Sequence, residues 1–129
     1  MNIAFERKSV TLDDFGTGMI AGLASEKQKT LSVRNLDSKI VAAFDWFQSQ
    51  DEVKDLNLRF RITLNKYYRD SPDARNAIRG AVARGLLISD NDHTLYLDIA
   101  EEEATAYFSR LPGSEALWRG VARTILETI

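Results

Sequence analysis

At 129 residues, 44% apolar and 28% charged, the chain has the composition of one soluble domain, large enough to build a core without disulfides or a structural metal. It contains no cysteine, which excludes thiol catalysis, disulfide frameworks and cysteine-based zinc or iron–sulfur sites, and its single histidine, His93, leaves little scope for imidazole chemistry. Seventeen basic against nineteen acidic residues give a net charge of −2, so no bulk positive field points to nucleic acid or an anionic membrane, and any such signal has to be local.

Met1 to Val10 carries Glu6, Arg7 and Lys8 and has no long apolar run, the pattern of neither a secretory signal nor a membrane span, so a cytoplasmic protein with no membrane partner is expected. Ile3 and Phe5 alternate with polar neighbours, which predicts a short half-buried strand ending near Val10. Thr11 followed by Asp14 makes a capping-box-like start, and Leu12, Phe15, Met19 and Leu23 then share one helix face. Gly16, Gly18 and Gly22 cost that helix about 1 kcal/mol each relative to alanine, so if it forms some of them have to serve close packing. Ser25 to Lys29 reads as a loop and Thr30 to Val33 as a brief strand. From Asp37 to Gln50, Ile40, Val41, Phe44 and Phe47 recur at helical spacing, with Asn35 or Asp37 as the cap.

The run from Leu56 to Leu64 alternates apolar residues with Asn57, Arg59, Arg61 and Thr63, the period of a strand with one wet face. Leu56, Phe60, Leu64 and Tyr67 or Tyr68 are also spaced as a helical stripe, and both readings stay open. Ser71-Pro72-Asp73 is the sharpest local signal: a hydroxyl N-cap, proline at the first helical position and a carboxylate in the positive first turn. The helix it opens extends to about Arg84, buries Ala74, Ala77, Ile78, Ala81 and Val82, and closes at Gly85. Leu86-Leu87-Ile88, a turn from Ser89 to His93 and the stretch Leu95 to Ile99 predict a β-hairpin. Ala100, Ala104, Tyr107, Phe108 and Leu111 predict another helix, stopped by Pro112-Gly113, and Ser114 caps a last one carrying Leu117, Trp118, Val121 and Ile125.

A helix entered through Ser71-Pro72, ended by Ala81-Val82-Ala83-Arg84-Gly85-Leu86-Leu87 and followed by a hairpin to Ile99 resembles the winged helix-turn-helix family, with the hairpin as the wing. With the helix from Asp37 and the segment Leu56 to Tyr68, the resemblance covers about half the chain and carries loose motifs. It implies that Pro72 to Arg84 is a reading element in the major groove, and that a helix occupies at least the later part of Leu56 to Tyr68. Opposite the apolar stripe stand Arg75, Asn76, Arg79, Gly80 and Ala83. Arginine suits guanine, asparagine suits adenine, and the two small residues permit close backbone approach. The plain alternative is a solvated polar helix face.

Charge is unevenly placed. Leu56 to Gly85 holds Arg59, Arg61, Lys66, Arg69, Arg75, Arg79 and Arg84 against Asp70 and Asp73, whereas Leu86 to Ala106 holds Asp90, Asp92, Asp98 and Glu101 to Glu103 with no Lys or Arg. The basic segment supports phosphate contact and the acidic one opposes it, and the same polarity suits docking to a complementary protein or pairing of the two segments within the chain. Tyr67 and Tyr68, between Lys66 and Arg69, read as stacking platforms for unpaired bases or, in the favoured reading, as core tyrosines continuing the helical stripe. His93 beside Asp90 and Asp92 is a turn composition and is assigned no metal. Asp13 and Asp14 read as helix-start carboxylates, and Gly16-Thr17-Gly18 is a weak phosphate candidate without the lysine of a phosphate-binding loop.

The expectation is a single α+β domain over 1–129, with a β–α extension at 1–35, a winged-helix-like centre at 36–99 and two C-terminal helices at 100–129. The expected function is a small non-enzymatic DNA-binding or transcription-associated protein that contacts duplex DNA through Arg75, Asn76, Arg79, Lys66 and Arg69, with helix 72–84 as reading element. The alternative is a protein–protein interaction module, an assembly subunit or small inhibitor, using the acidic hairpin or the basic face. No catalytic residue, cofactor or metal is assigned. Phe108, Trp118, Val121 and Ile125 complete the core or form a homodimer interface.

Overall fold

Thr11 opens the first long helix as its side chain dictates. The Thr11 hydroxyl accepts from the Asp14 amide at 3.1 Å and the Asp14 carboxylate accepts from the Thr11 amide at 3.0 Å, which satisfies two helix-start N–H groups reciprocally. The computed structural model describes residues 8–90 and 93–127; Ile3 and Phe5, and the turn residues Asn91 and Asp92, lie outside them. Within them the fold is α+β: β1 (Lys8–Val10), α1 (Leu12–Ser25), β2 (Thr30–Ser32), α2 (Leu36–Gln48), β3 (Leu56–Leu58), α3 (Pro72–Ala83), β4 (Leu87–Ser89), β5 (Thr94–Leu97), α4 (Ala104–Arg110) and α5 (Glu115–Glu127). Short 3-10 turns cover Asp51–Asp55 and Glu101–Glu103, the second taking the first turn of the helix predicted from Ala100.

The segment read as a β–α extension supplies the helix on which the others pack. From Phe15 to Ala24 every residue of α1 except Thr17 is buried, and α3, α4 and α5 all lie against it. Two of its glycines face the Trp118 residue of α5. A methyl at Gly18 would sit 2.3 Å from the Trp118 ring, and one at Gly22 would sit 2.5 Å from the Trp118 carbonyl oxygen. Trp118 itself is fully buried and donates its ring N–H to the Pro112 carbonyl at 2.9 Å. Phe15 joins this layer to α2, with ring centroids 5.7 Å from Phe44, 5.4 Å from Phe47 and 6.1 Å from Trp118.

Two small sheets flank the helices. β1 and β3 pair in parallel, Lys8 opposite Leu56 and Val10 opposite Leu58, while β2, β5 and β4 form an antiparallel sheet in that order. Leu56 to Leu64 is a strand only over its first three residues and then runs on without regular structure. Of the two periods left open, the alternating one describes the segment, because Leu58, Phe60, Ile62 and Leu64 turn inward while Asn57, Arg59, Arg61 and Thr63 stay exposed. The helix that the winged-helix resemblance requires there is absent: between Leu58 and Pro72 there is only a single turn at 66–68, closed by the Arg69 amide on the Asn65 carbonyl.

Gly22→Ala gains about 1 kcal/mol of helix propensity but pushes a methyl into backbone, so a net loss of about 1–3 kcal/mol is expected. Urea unfolding should show a lower midpoint at unchanged slope, and an unaltered midpoint would show that α1 and α5 do not need this close approach.

Candidate nucleic-acid interface

The chain reverses at Asn65. Its side-chain oxygen accepts from the Tyr67 amide at 2.9 Å and the Tyr68 amide at 3.1 Å, its own amide donates to the Asp70 carbonyl at 2.7 Å, and Arg69 adopts a left-handed φ of 56°. A closed, hydrogen-bonded turn therefore displays two aromatic side chains. Tyr67 is 92% and Tyr68 79% exposed, which overturns the core reading of both. The physical reason is that a helical stripe continuing from Leu64 exists only if the segment is helical, and here it is extended and then bends away.

Arg75 anchors this turn. Asp37 Oδ2 accepts from the Ser71 amide at 2.8 Å and from Arg75 Nε at 3.3 Å, and Arg75 Nη2 donates to the Asp70 carboxylate. Thr63 adds a backbone donor to Asp73 Oδ2 at 3.3 Å. Neither candidate cap of α2 serves as one: Asp37 is committed to α3, and Asn35 takes a left-handed φ of 57° with no side-chain cap bond. Ser71 does cap α3, accepting from the Ala74 amide at 3.1 Å, and Gly85 closes it at φ 79°.

The predicted contact residues thus divide. Asn76, Arg79, Lys66 and Arg69 are exposed, and Lys66, Arg69 and Arg79 make no ion pair among the described residues. Arg75 is a structural residue whose fork is already occupied by two carboxylates, not a free base-reading group. Arg84 is likewise held, 2.9 Å from Asp13 Oδ1 and bonded to the Asp13 carbonyl and the Thr17 hydroxyl at 3.0 and 2.9 Å. Gly80 makes room for that pair, because a methyl there would lie 2.8 Å from Asp13 Oδ1 and 2.9 Å from Arg84 Nη1; it does not serve approach to DNA. Arg75 and Arg84 are taken by carboxylates of α1, α2 and the turn. Among the described residues Asp98 and Glu101 to Glu103 make no ion pair with 56–85.

Between the start of α2, the tyrosine turn, α3 and the sheet lies a groove of about 830 Å³. α3 meets the core with small side chains only, since Ala74, Ala77 and Ala81 are its fully buried residues and Gly16 of α1 comes close to the Ala77 carbonyl. Its larger apolar residues, Ile78 and Val82, meet the expected burial in part: they pack against the core on one side and line the groove on the other. Leu36 and Leu95 add further apolar wall, and Tyr68, Arg69 and Arg79 border it.

The remaining candidates are absorbed by the fold. Gly16-Thr17-Gly18 lies inside α1 rather than in a loop, and Asp13 pairs with Arg84. Among the described residues no group of three His, Asp or Glu side chains is placed to hold a metal, and no helix is long and apolar enough to cross a membrane. Phe108, Trp118, Val121 and Ile125 are buried within the chain. On the hairpin, the Asp90 carboxylate accepts from the Tyr96 phenol and, with its charge and slight desolvation, raises the phenol above its ordinary value of 10.0. Comparison with protein-family models, curated proteins and solved structures finds no match to this chain, so its function is argued from residues and geometry.

Arg75→Ala should cost about 1 kcal/mol, the pair being half-exposed, and should speed amide exchange at Arg69 and Ser71, whose order depends on it. Unchanged exchange there would show the turn is held by Asn65 alone. Asp90→Asn should lower the Tyr96 ionisation midpoint in a ring NMR titration. The raised value means the folded state favours the neutral phenol, a contribution present below the ordinary value and lost as pH rises through the elevated one.

Proposed function

We propose that this chain is a non-enzymatic nucleic-acid-binding protein that grips the phosphate backbone through the tyrosine turn and the exposed side of α3. One observation carries the reading: Lys66, Arg69 and Arg79 stand exposed and make no ion pair among the described residues, around a hydrogen-bonded turn that displays Tyr67 and Tyr68. Leaving two large aromatic side chains in water forgoes about 1.5–3 kcal/mol each, and cations left free of carboxylates are available to displace counterions from a polyanion. The overall charge of −2 argues only against nonspecific attraction of the whole molecule.

The winged-helix resemblance supports the same class in part. The hairpin follows α3 directly, and β2 extends it to three strands. It departs where residues 49–71 replace the tight turn and preceding helix of a helix-turn-helix unit, and where Arg75 is withdrawn from the contact face. The contact set is therefore Lys66, Arg69, Asn76 and Arg79, and a transcription-associated role rests on the resemblance alone. A protein partner is the second reading, favoured by the aliphatic lining that Ile78, Val82 and Leu95 give the groove.

Fluorescence anisotropy with random-sequence duplex and single-stranded oligonucleotides across a salt series tests the proposal. Micromolar-range binding that weakens steeply with salt is expected. Lys66→Ala, Arg69→Ala and Arg79→Ala together should reduce the slope of log K against log salt by about 2–3 with little change in melting temperature, because none of the three makes an ion pair among the described residues. Absence of salt-dependent binding to either form would rule the reading out.

A further inference from the structure

We infer that the groove beside α3 is a seat for unpaired nucleotides, so that the nucleic acid bound is single-stranded rather than duplex; this rests on the nucleic-acid reading above and specifies its substrate class. The first support is shape. The α3 residues Arg75, Ile78, Arg79 and Val82 form one wall of a hollow of about 830 Å³ that the start of α2, the tyrosine turn and the sheet complete. A helix that reads the major groove has to protrude into it, whereas this helix face is recessed.

The second support is the chemistry of the lining. Tyr68 lines the groove and Tyr67 stands beside it on the same turn, whose backbone is held by the Asn65 side chain and flanked by the Arg75–Asp70 pair. A base in a duplex has both faces covered by its neighbours, so exposed rings gain nothing from it. An unpaired base stacks on them irrespective of sequence. Ile78 and Val82 supply apolar surface for a base that leaves water, with the buried Leu95 behind them, and Asn35, whose side chain makes no cap bond, supplies an amide for its edge. Charge complementarity selects the rest of the occupant. Arg69 and Arg79 on the border make no ion pair among the described residues and face the phosphates of a strand entering the groove, while Arg75 keeps the turn in place between Asp37 and Asp70; these two carboxylates also line the groove, so three cations leave it a net charge of +1. Ile78 and Val82 pack against the core on one side and keep only part of their surface toward the groove, and that part is what an inserted base covers.

The test uses the intact chain, a dye-labelled oligothymidine single strand, a mixed-sequence duplex of equal length and thymidine monophosphate, all at one salt concentration. The expected result is single-strand affinity at least about tenfold above duplex. Tyr68→Ala should lose about tenfold on the single strand and nothing on the duplex, with Tyr68→Phe close to the parent. Val82→Glu, which places a carboxylate in the groove, should reproduce the Tyr68→Ala pattern, and thermal melting of each variant checks that it is folded. Weak monophosphate binding lost in Tyr68→Ala supports the same seat, while monophosphate binding as tight as the strand would make a free nucleotide the ligand and overturn the strand proposal. Equal affinity for single strand and duplex, both unchanged by Tyr68→Ala, overturns the seat and leaves the general nucleic-acid reading standing. Binding to no oligonucleotide, with an acidic amphipathic helical peptide binding the groove instead, overturns both in favour of a protein partner.

Discussion

The contact between Trp118 and the glycine edge of α1 is the constraint from which the rest of the arrangement follows. Gly18 accepts the indole ring and Gly22 the Trp118 backbone at separations that admit no methyl group. With α5 drawn that close, α1 is enclosed on nearly every side, and the remaining helices have to fit around a buried axis. The same device recurs where Trp46 of α2 lies over Gly120 of α5, a methyl there falling 1.9 Å from the ring. Large aromatics on one helix and missing side chains on the next set the spacing of the bundle.

α3 is placed by the complementary rule. Its alanine edge approaches α1 at Gly16, so its closest inner contact is made by small side chains. Ile78 and Val82 lie at the margin of the core beside the sheet, and the part of their surface left open becomes one wall of a groove. A helix can thus be amphipathic in sequence and still show apolar surface to solvent, because its inner contact is made by residues that count little in any hydrophobicity scale.

Electrostatics sorts the arginines into two roles. Arg75 and Arg84 lie where the fold brings carboxylates of α1 and α2 against α3, and their charge is used to join elements distant in sequence. Lys66, Arg69 and Arg79 project beyond reach of any described carboxylate. Exposed pairs contribute about 0–1 kcal/mol each, so the stabilising effect of Arg75 comes mainly from ordering the turn. The backbone of Tyr67 and Tyr68 is held in the turn while their rings stand in solvent.

Local chemistry in the sequence determined where α1, α3 and α5 begin and where α3 ends. Thr11 with Asp14, Ser71 with Pro72, Gly85 and Ser114 act through hydrogen bonds or dihedral preferences spanning three or four residues, and each does so in the structure. The alternation of Leu56 to Leu64 likewise marked the inward side chains, although a ladder partner exists only for Leu56 to Leu58. Tertiary structure alone decided the site. Whether Arg75 is free depends on Asp37, nearly forty positions away, meeting the start of α3. Whether Tyr68 is buried depends on the chain bending at Asn65, and whether Ile78 is core depends on how closely α3 approaches Gly16. These are contacts between segments, and a pattern read along one segment records which side of it is apolar but not which other segment covers that side.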